Sequence, residues 1–176
     1  MGRVAAVVLA AGEASRFGAP KQLVLLPEVL ARLAAAPVDE IVVVEGAYAV
    51  SPCVPETQGR VVCCDDWARG PGASLRCGLA ALGDDVEAAI VVLADGPNLA
   101  PDAVARVIDA WRAGCEGVVA ASYGGARGHP LLVARQRWGD VPDEGLRLRD
   151  PALVSCDDLG APGDVDVPGD VPERLR

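Results

Sequence analysis

The stretch "RVAAVVLAAGEASRFGAPKQ", residues 3–22, joins an apolar run to a loop that contains two glycines. The apolar run at 3–10 is continuous rather than alternating, which is typical of a strand buried on both faces of a parallel sheet. The loop ends at Lys21, the only lysine in a chain that otherwise uses arginine for positive charge. The sequence therefore predicts a buried strand, then a turn, then an isolated compact cation.

The composition indicates a single α/β domain over residues 1–176. A chain of this length can bury a core without disulfides or a metal staple. Hydrophobic residues make up 51% of the chain and aromatic residues only 3%, so Ala, Val and Leu must form the core. Residues of this size suit closely packed layers of helix on sheet.

The charge and the hydropathy pattern exclude two classes of partner. A formal net charge of −9 would repel nucleic acid and anionic membranes, whereas a small anion could still bind at a local positive site. The sequence has neither a run of 18 apolar residues nor a leader of signal type. We therefore expect a cytoplasmic protein with no nucleic-acid partner and no membrane partner.

The six cysteines form no C-x-x-C pair, and one histidine is too few to complete a zinc set. This spacing favours free, mostly buried thiols in a reducing compartment.

The remaining pattern alternates between strands and helices. Further strands are predicted at 40–46, 60–65, 88–95 and 117–123. Helices are predicted at 27–36, with Pro27 in the first position, at 72–82 and at 101–113. Alternating elements imply right-handed crossovers, a mostly parallel central sheet and a three-layer α/β/α sandwich. The Gly-, Pro- and Asp-rich tail is expected to add little to the core.

Two features lie where ligands bind in such sheets, outside the carboxyl ends of the strands. The first is the loop at 12–21, in which glycines would let backbone N–H groups approach a phosphate while Arg16 and Lys21 supply charge. An ordinary strand-to-helix turn is the alternative, because neither the P-loop pattern nor G-x-G-x-x-G is present. The second is Asp95, at the end of the strand at 88–95.

Asp95 needs a partner, since a carboxylate directly after an apolar strand is costly to bury alone. A hard cation that bridges carboxylate and phosphate oxygens is one candidate. The alternative is a turn-forming aspartate that caps Gly96 through its side chain. A cationic phosphate loop at the same edge of the sheet favours the metal interpretation.

The segment "LAAGEASRFGAPKQL" (9–23) resembles the L-[AG]-[AG]-G-x-x-x-R-[MF]-G-x-x-K signature of nucleotidyltransferases with a GT-A-like, Rossmann-like fold. It is most similar to the molybdenum cofactor cytidylyl- and guanylyltransferases. Five later segments match elements of that family in order: "GPGASLRCGL" (70–79), "VVLADGPNL" (91–99), "GHPLLV" (128–133), "DEGLR" (143–147) and "DVDVPGD" (164–170). The resemblance therefore covers nearly the whole chain.

The resemblance implies a nucleotide site formed by eight residues: Leu9, Ala10, Ala11, Gly12, Arg16, Lys21, Ser74 and Asp95. In it, Arg16 and Lys21 would contact the phosphates and, with Asp95, carry catalysis. Ser74 would help to hold the base. The form L-A-A-G, with Ala11 in third place, is associated in this family with CTP rather than GTP.

The resemblance also implies Mg²⁺ as cofactor, bound by Asp95 together with Asp166, or with Asp164 beside it. The reaction would move CMP from CTP to a phosphorylated acceptor such as molybdopterin, with release of pyrophosphate. An acceptor phosphate is already ionised near neutral pH, so it needs charge neutralisation and alignment rather than a general base.

Departures from the family pattern leave two alternatives open. The segment after Lys21 and the segment between Trp138 and Asp143 are both short, partly on the acceptor side. The acceptor could therefore be a sugar phosphate or another cofactor precursor. The chain could instead be a catalytically weak carrier or regulator that binds nucleotide or cofactor.

Four further polar residues are interpreted without a catalytic role. His129 is expected to be a positioning residue in a turn before a strand, because the chemistry requires no base. Asp157 and Asp158 are expected in a solvated loop, and Arg76 could reach either phosphate or solvent.

Overall fold

The computed structural model describes residues 2–13, 17–148 and 150–176. The strands in these ranges are β1 (Arg3–Leu9), β2 (Glu40–Glu45), β3 (Arg60–Cys63), β4 (Val86–Leu93), β5 (Val118–Tyr123), β6 (Ala126–Ala134) and β7 (Ala152–Ser155). The α-helices are α1 (Gln22–Ala34), α2 (Pro71–Ala80) and α3 (Pro101–Arg112). The predicted order of strands and helices is confirmed up to β5.

All seven of these strands form one sheet in the order β3-β2-β1-β4-β6-β5-β7. Strands β1 to β4 are parallel, β6 is antiparallel to both β4 and β5, and β7 is parallel to β5. The sheet is thus mostly parallel, as predicted. Because β2 and β4 lie on opposite sides of β1, the winding direction reverses there, and a crevice opens at the carboxyl ends of β1 and β4.

The helices cover both faces of the sheet. On one face α1 and α3 share a core cluster with the sheet, through residues such as Leu30 and Ile108, and α3 contacts β5, β6 and β7. On the other face α2 packs through Leu75 and Leu79. At Gly78 an added Cβ would lie 2.5 Å from a methyl carbon of Val7, so α2 approaches the sheet more closely than a side chain would allow. The predicted three-layer sandwich is confirmed.

Helix α1 begins at Gln22, so the prediction that Pro27 occupies a first helical position is wrong. Proline removes a backbone donor and normally disfavours a helix interior. Here the apolar face that includes Leu25 and Leu33 is fully buried, and this packing outweighs the lost hydrogen bond. The carbonyl of Leu23, four residues before the proline, accepts a contact from the Cys53 thiol at 3.7 Å instead.

The tail adds more to the core than the sequence predicts. It contributes β7 and a small cluster in which Val165 and Val171 pack against Leu25 of α1. The Val165 N–H also donates to the Asp95 carbonyl at 3.2 Å. The two valines belong to irregular chain, so no periodic pattern marks them as buried.

The prediction of free, mostly buried thiols is wrong for part of the set. Cys64, the residue directly after β3, and Cys77 in α2 form a disulfide, with Cα atoms 5.8 Å apart. The chain reverses between these elements and brings together two residues that spacing alone does not pair. Of the free cysteines, Cys156 is buried and Cys63 is exposed.

Thiol titration tests this bridge directly. The unfolded, unreduced protein is expected to show four thiols per chain, and six after reduction. A Cys115→Ser variant should lower both counts by one, whereas Cys77→Ser should raise the unreduced count by one. Six thiols without reductant would show that the bridge does not form.

Among the described residues, no helix is both long enough and apolar enough to cross a membrane.

Candidate active site

The crevice at the ends of β1 and β4 is held by backbone hydrogen bonds. Leu9 and Leu93 are register partners, and the Ala94 N–H donates to the Leu9 carbonyl at 3.1 Å. On the β2 side of β1, the Ala10 N–H donates to the Val44 carbonyl at 2.9 Å. The residues that follow the two strands therefore meet at one edge of the sheet.

The loop after β1 begins at Gly12, which lies close to the start of α1. A Cβ added to Gly12 would meet no described residue within 4 Å, and the Gly12 carbonyl accepts a hydrogen bond from the Gln22 side chain at 2.7 Å. Gly18 has a φ of +74°, in the left-handed region that favours glycine. Arg16 lies outside the described residues, so its phosphate-binding role stays a prediction.

Lys21 lies at the N-terminal end of α1 and points into the crevice. Its Nζ is 2.8 Å from Asp95 Oδ2 and 3.7 Å from Asp166 Oδ1, and it donates to the Val165 carbonyl at 2.6 Å. The lysine is only 8% exposed. The structure thus brings together three residues that the sequence singled out, one from each of three distant segments.

The two carboxylates fit a divalent cation that is shared with a ligand. Asp95 Oδ1 is buried and has no hydrogen-bond partner among the described residues, which is uncommon for a carboxylate oxygen. No group of three or more His, Cys, Asp or Glu side chains within the described ranges could hold a metal ion. Mg²⁺ is commonly held by one or two carboxylates, with phosphate oxygens and water completing its octahedron. A cation here would need such oxygens.

The structure separates Asp166 from Asp164. Asp166 faces Lys21, while Asp164 lines a cavity of about 540 Å³ whose wall includes Arg127, His129 and Tyr123. This placement favours Asp166 as the second carboxylate beside Asp95.

The sequence model of the MobA-like NTP transferase domain family matches residues 6–147. The chain belongs to this family. A search of curated proteins finds no match. The solved structure of Rv0371c from Mycobacterium tuberculosis H37Rv is similar to this chain, with 29% sequence identity and a TM-score of 0.82. That alignment covers 99% of this chain and 98% of Rv0371c.

Two further structures agree with this assignment. A homologue of Rv0371c from Mycobacterium sp. strain JC1 is 30% identical, with a TM-score of 0.81 and coverage of 98% of this chain and 94% of that one. The Mycobacterium tuberculosis Rv0371c complex with manganese is 27% identical, with a TM-score of 0.74 and coverage of 96% and 92%. The chain therefore has both the fold and the family sequence of a MobA-like nucleotidyltransferase.

In this MobA-like protein Ser74 lies in the first turn of α2 and is buried. Arg76, whose partner the sequence left open, forms an ion pair with Asp143 and donates to the Val141 carbonyl at 2.8 Å. The guanidinium groups of Arg76 and then Arg69 hold the pKa of the Asp143 carboxyl below its usual range. The segment that contains Asp143 thereby fastens the N-terminal end of α2.

The expectation for the position of His129 is wrong. His129 lies within β6 rather than in a turn before a strand, because β6 already begins at Ala126. Its carbonyl accepts a hydrogen bond from the Tyr123 hydroxyl at 3.0 Å.

Asp157 and Asp158 are both exposed, as expected, and each also has a partner. Asp158 forms a two-pronged ion pair with Arg106 at 2.6 and 2.7 Å, which lowers the pKa of its carboxyl. Asp157 accepts a hydrogen bond from the Gly124 N–H at 2.6 Å. Both carboxylates therefore tie the segment after β7 to neighbouring elements.

The predictions missed two contributors to the site, Gln22 and the carbonyl of Val165. Gln22 is 4% exposed, and its Oε1 has no hydrogen-bond partner among the described residues. A signal for it exists in the sequence, since Gln22 falls on the same helical face as Leu25 and Leu26 and is polar at a core position. The backbone carbonyl of Val165 leaves no such signal in the sequence, because every residue has a backbone carbonyl.

Proposed function

We propose that this chain is a Mg²⁺-dependent nucleotidyltransferase that moves CMP from CTP to a phosphorylated cofactor acceptor such as molybdopterin, with release of pyrophosphate. One observation carries the proposal: Lys21 meets Asp95 and Asp166 at the crevice, where the loop that begins at Gly12 joins α1. Opposite charges at the carboxyl ends of the strands are what a nucleotide phosphate and a shared cation would need, and their presence supports the proposal. Membership of the family supports the same reaction class.

Each residue then has a defined task. Arg16 and Lys21 would neutralise the phosphates, and Ser74 would help to hold the base. Asp95 and Asp166 would hold the Mg²⁺ ion, which supplies charge neutralisation at the reacting phosphates. The manganese complex of the relative from Mycobacterium tuberculosis supports the use of a divalent cation.

The chemistry is an in-line displacement at phosphorus. An oxygen of the acceptor phosphate forms a bond to the α-phosphorus of CTP, the bond from that phosphorus to the bridging oxygen breaks, and pyrophosphate leaves. Since the attacking phosphate is already ionised, no side chain has to remove a proton. Lys21 and the loop contribute alignment and charge, which are sufficient for this reaction type.

A second candidate keeps the reaction and changes the acceptor to a sugar phosphate or another cofactor precursor. The specific observation is that α1 begins at Gln22, immediately after Lys21. Since no extended segment separates Lys21 from α1, the chain lacks the residues that would otherwise lie between them. Their loss would change the surroundings of the acceptor.

The assay combines purified protein, Mg²⁺, each of the four NTPs in turn and a phosphorylated acceptor, and it measures pyrophosphate. We expect release with CTP and molybdopterin and none without acceptor. Release only with another phosphate supports the second candidate. Nucleotide binding without release of pyrophosphate for any acceptor would instead support a carrier or regulator.

An Ala11→Gly variant, which converts L-A-A-G to L-A-G-G, is expected to shift the nucleotide preference from CTP towards GTP, as measured in the same pyrophosphate assay.

A further inference from the structure

Lys21 occupies the position between the two carboxylates that the proposed function gives to a divalent cation. Its ammonium group lies 2.8 Å from Asp95 Oδ2 and 3.7 Å from Asp166 Oδ1. The Val165 carbonyl accepts a third contact, at 2.6 Å. An ammonium group has three donors and carries its full charge on a small head, so these oxygens surround it closely.

The position makes Lys21 a competitor for any cation at the site. Its side chain is 10% exposed, so solvent and salt screen its charge weakly. A divalent cation bound by Asp95 and Asp166 would lie beside the ammonium group and be repelled by it. While Lys21 stays in place, it offsets one of the two negative charges that would attract the cation.

A bound triphosphate can relieve this competition, because its oxygens can bind both the ammonium group of Lys21 and the divalent cation. Lys21 follows directly on the loop that contains Gly12, and its flexible four-carbon stem can turn its head towards anions bound there. Phosphate oxygens would replace the carboxylates as partners of the ammonium group. The same phosphates would supply the oxygen ligands that the described side chains lack for a cation.

We propose that Lys21 keeps divalent cations out of the Asp95–Asp166 site until a nucleoside triphosphate arrives, so that nucleotide and cation bind cooperatively. The inference rests on the proposed function, since it takes these two carboxylates as the ligands of the cation. Asp95 Oδ1, which is buried and has no hydrogen-bond partner among the described residues, is an oxygen that the cation would bind when it enters. By linkage, the cation must raise the affinity for the nucleotide by the same factor.

The test is a Mn²⁺ titration without nucleotide, in which electron paramagnetic resonance measures the free ion. A Lys21→Met variant is expected to bind Mn²⁺ at least about tenfold more tightly than the wild type, because the competing charge is gone. Lys21→Gln, which keeps a polar donor in the buried position, is expected to change the affinity in the same direction. Circular dichroism establishes that each variant is folded.

Two controls isolate the local charge. Arg32→Met removes one positive charge from α1 at a partly exposed position that pairs with Glu28, so it changes the net charge equally. It is expected to bind Mn²⁺ as the wild type does. Adding Asp95→Asn to Lys21→Met is expected to abolish the gain. Equal Mn²⁺ affinity in the wild type and both Lys21 variants, or an equal gain in Arg32→Met, would overturn the inference.

The Mn²⁺ titration tests the inference about Lys21 independently of the proposed function, which is tested by pyrophosphate release with CTP. A wild-type protein that shows no turnover while Lys21→Met gains Mn²⁺ affinity contradicts the function and supports the inference. A wild-type protein with full turnover and no gain in either Lys21 variant supports the function and overturns the inference.

Discussion

Asp95→Asn is expected to lower the rate of pyrophosphate release by about a thousandfold, an effect typical of the loss of one electrostatic contact to a reacting phosphate or oxyanion. Asparagine keeps the shape of aspartate, and its carbonyl oxygen can still accept a hydrogen bond from Lys21. It removes the negative charge that the proposed cation requires, including the charge on Oδ1, which is buried and has no hydrogen-bond partner in the described part of the chain. The measurement is kcat with CTP and acceptor, together with the melting temperature.

Substitutions at other aspartates serve as comparisons for Asp95→Asn. Asp109→Asn, at an exposed position of α3, changes the net charge equally and is expected to leave kcat unchanged. Asp166→Asn is expected to lower kcat more than Asp164→Asn, because Asp166 faces Lys21 while Asp164 lines the neighbouring cavity. A wild-type rate in Asp95→Asn would remove this residue from the proposed metal site.

Leu25→Ala is expected to lower the free energy of unfolding by about 3 kcal/mol, as deletion of a fully buried leucine side chain does. Leu25 is 0% exposed and forms a small cluster with Val165 and Val171. Because the Val165 carbonyl accepts from Lys21 and Asp166 is the next residue, loosening this cluster also displaces the site. Small displacements of reacting groups can cost up to about a hundredfold in rate. Urea unfolding and kcat/KM measure the two effects.

Leu33→Ala provides the matched control. Leu33 lies on the same helix and is also 0% exposed, but it packs under the sheet in the main cluster. We expect a similar loss of stability and little change in kcat/KM at a temperature where both variants are folded. Equal losses of activity in the two variants would show that the packing of the tail does not position the site.

The sequence by itself determined the architecture and the identity of several site residues. Continuous apolar runs predict β1 and β4, because strands covered on both faces have no polar side to display. Lys21 stands out because it is the only lysine of the chain, and Asp95 stands out because it comes directly after such a run, where a carboxylate is costly to bury alone. These signals are local, so they can be read without knowing how the chain folds back on itself.

Only the tertiary structure decided which of these residues meet. It brings Asp166 next to Lys21, pairs Cys64 with Cys77, and buries Val165 against α1. These contacts join segments that are distant along the chain, and they depend on which surfaces pack together rather than on any local pattern. The same packing places the ammonium group of Lys21 between two carboxylates, where the sequence had predicted a contact with phosphate. A motif specifies which charges are present at a site, whereas packing decides which charge is the partner of which.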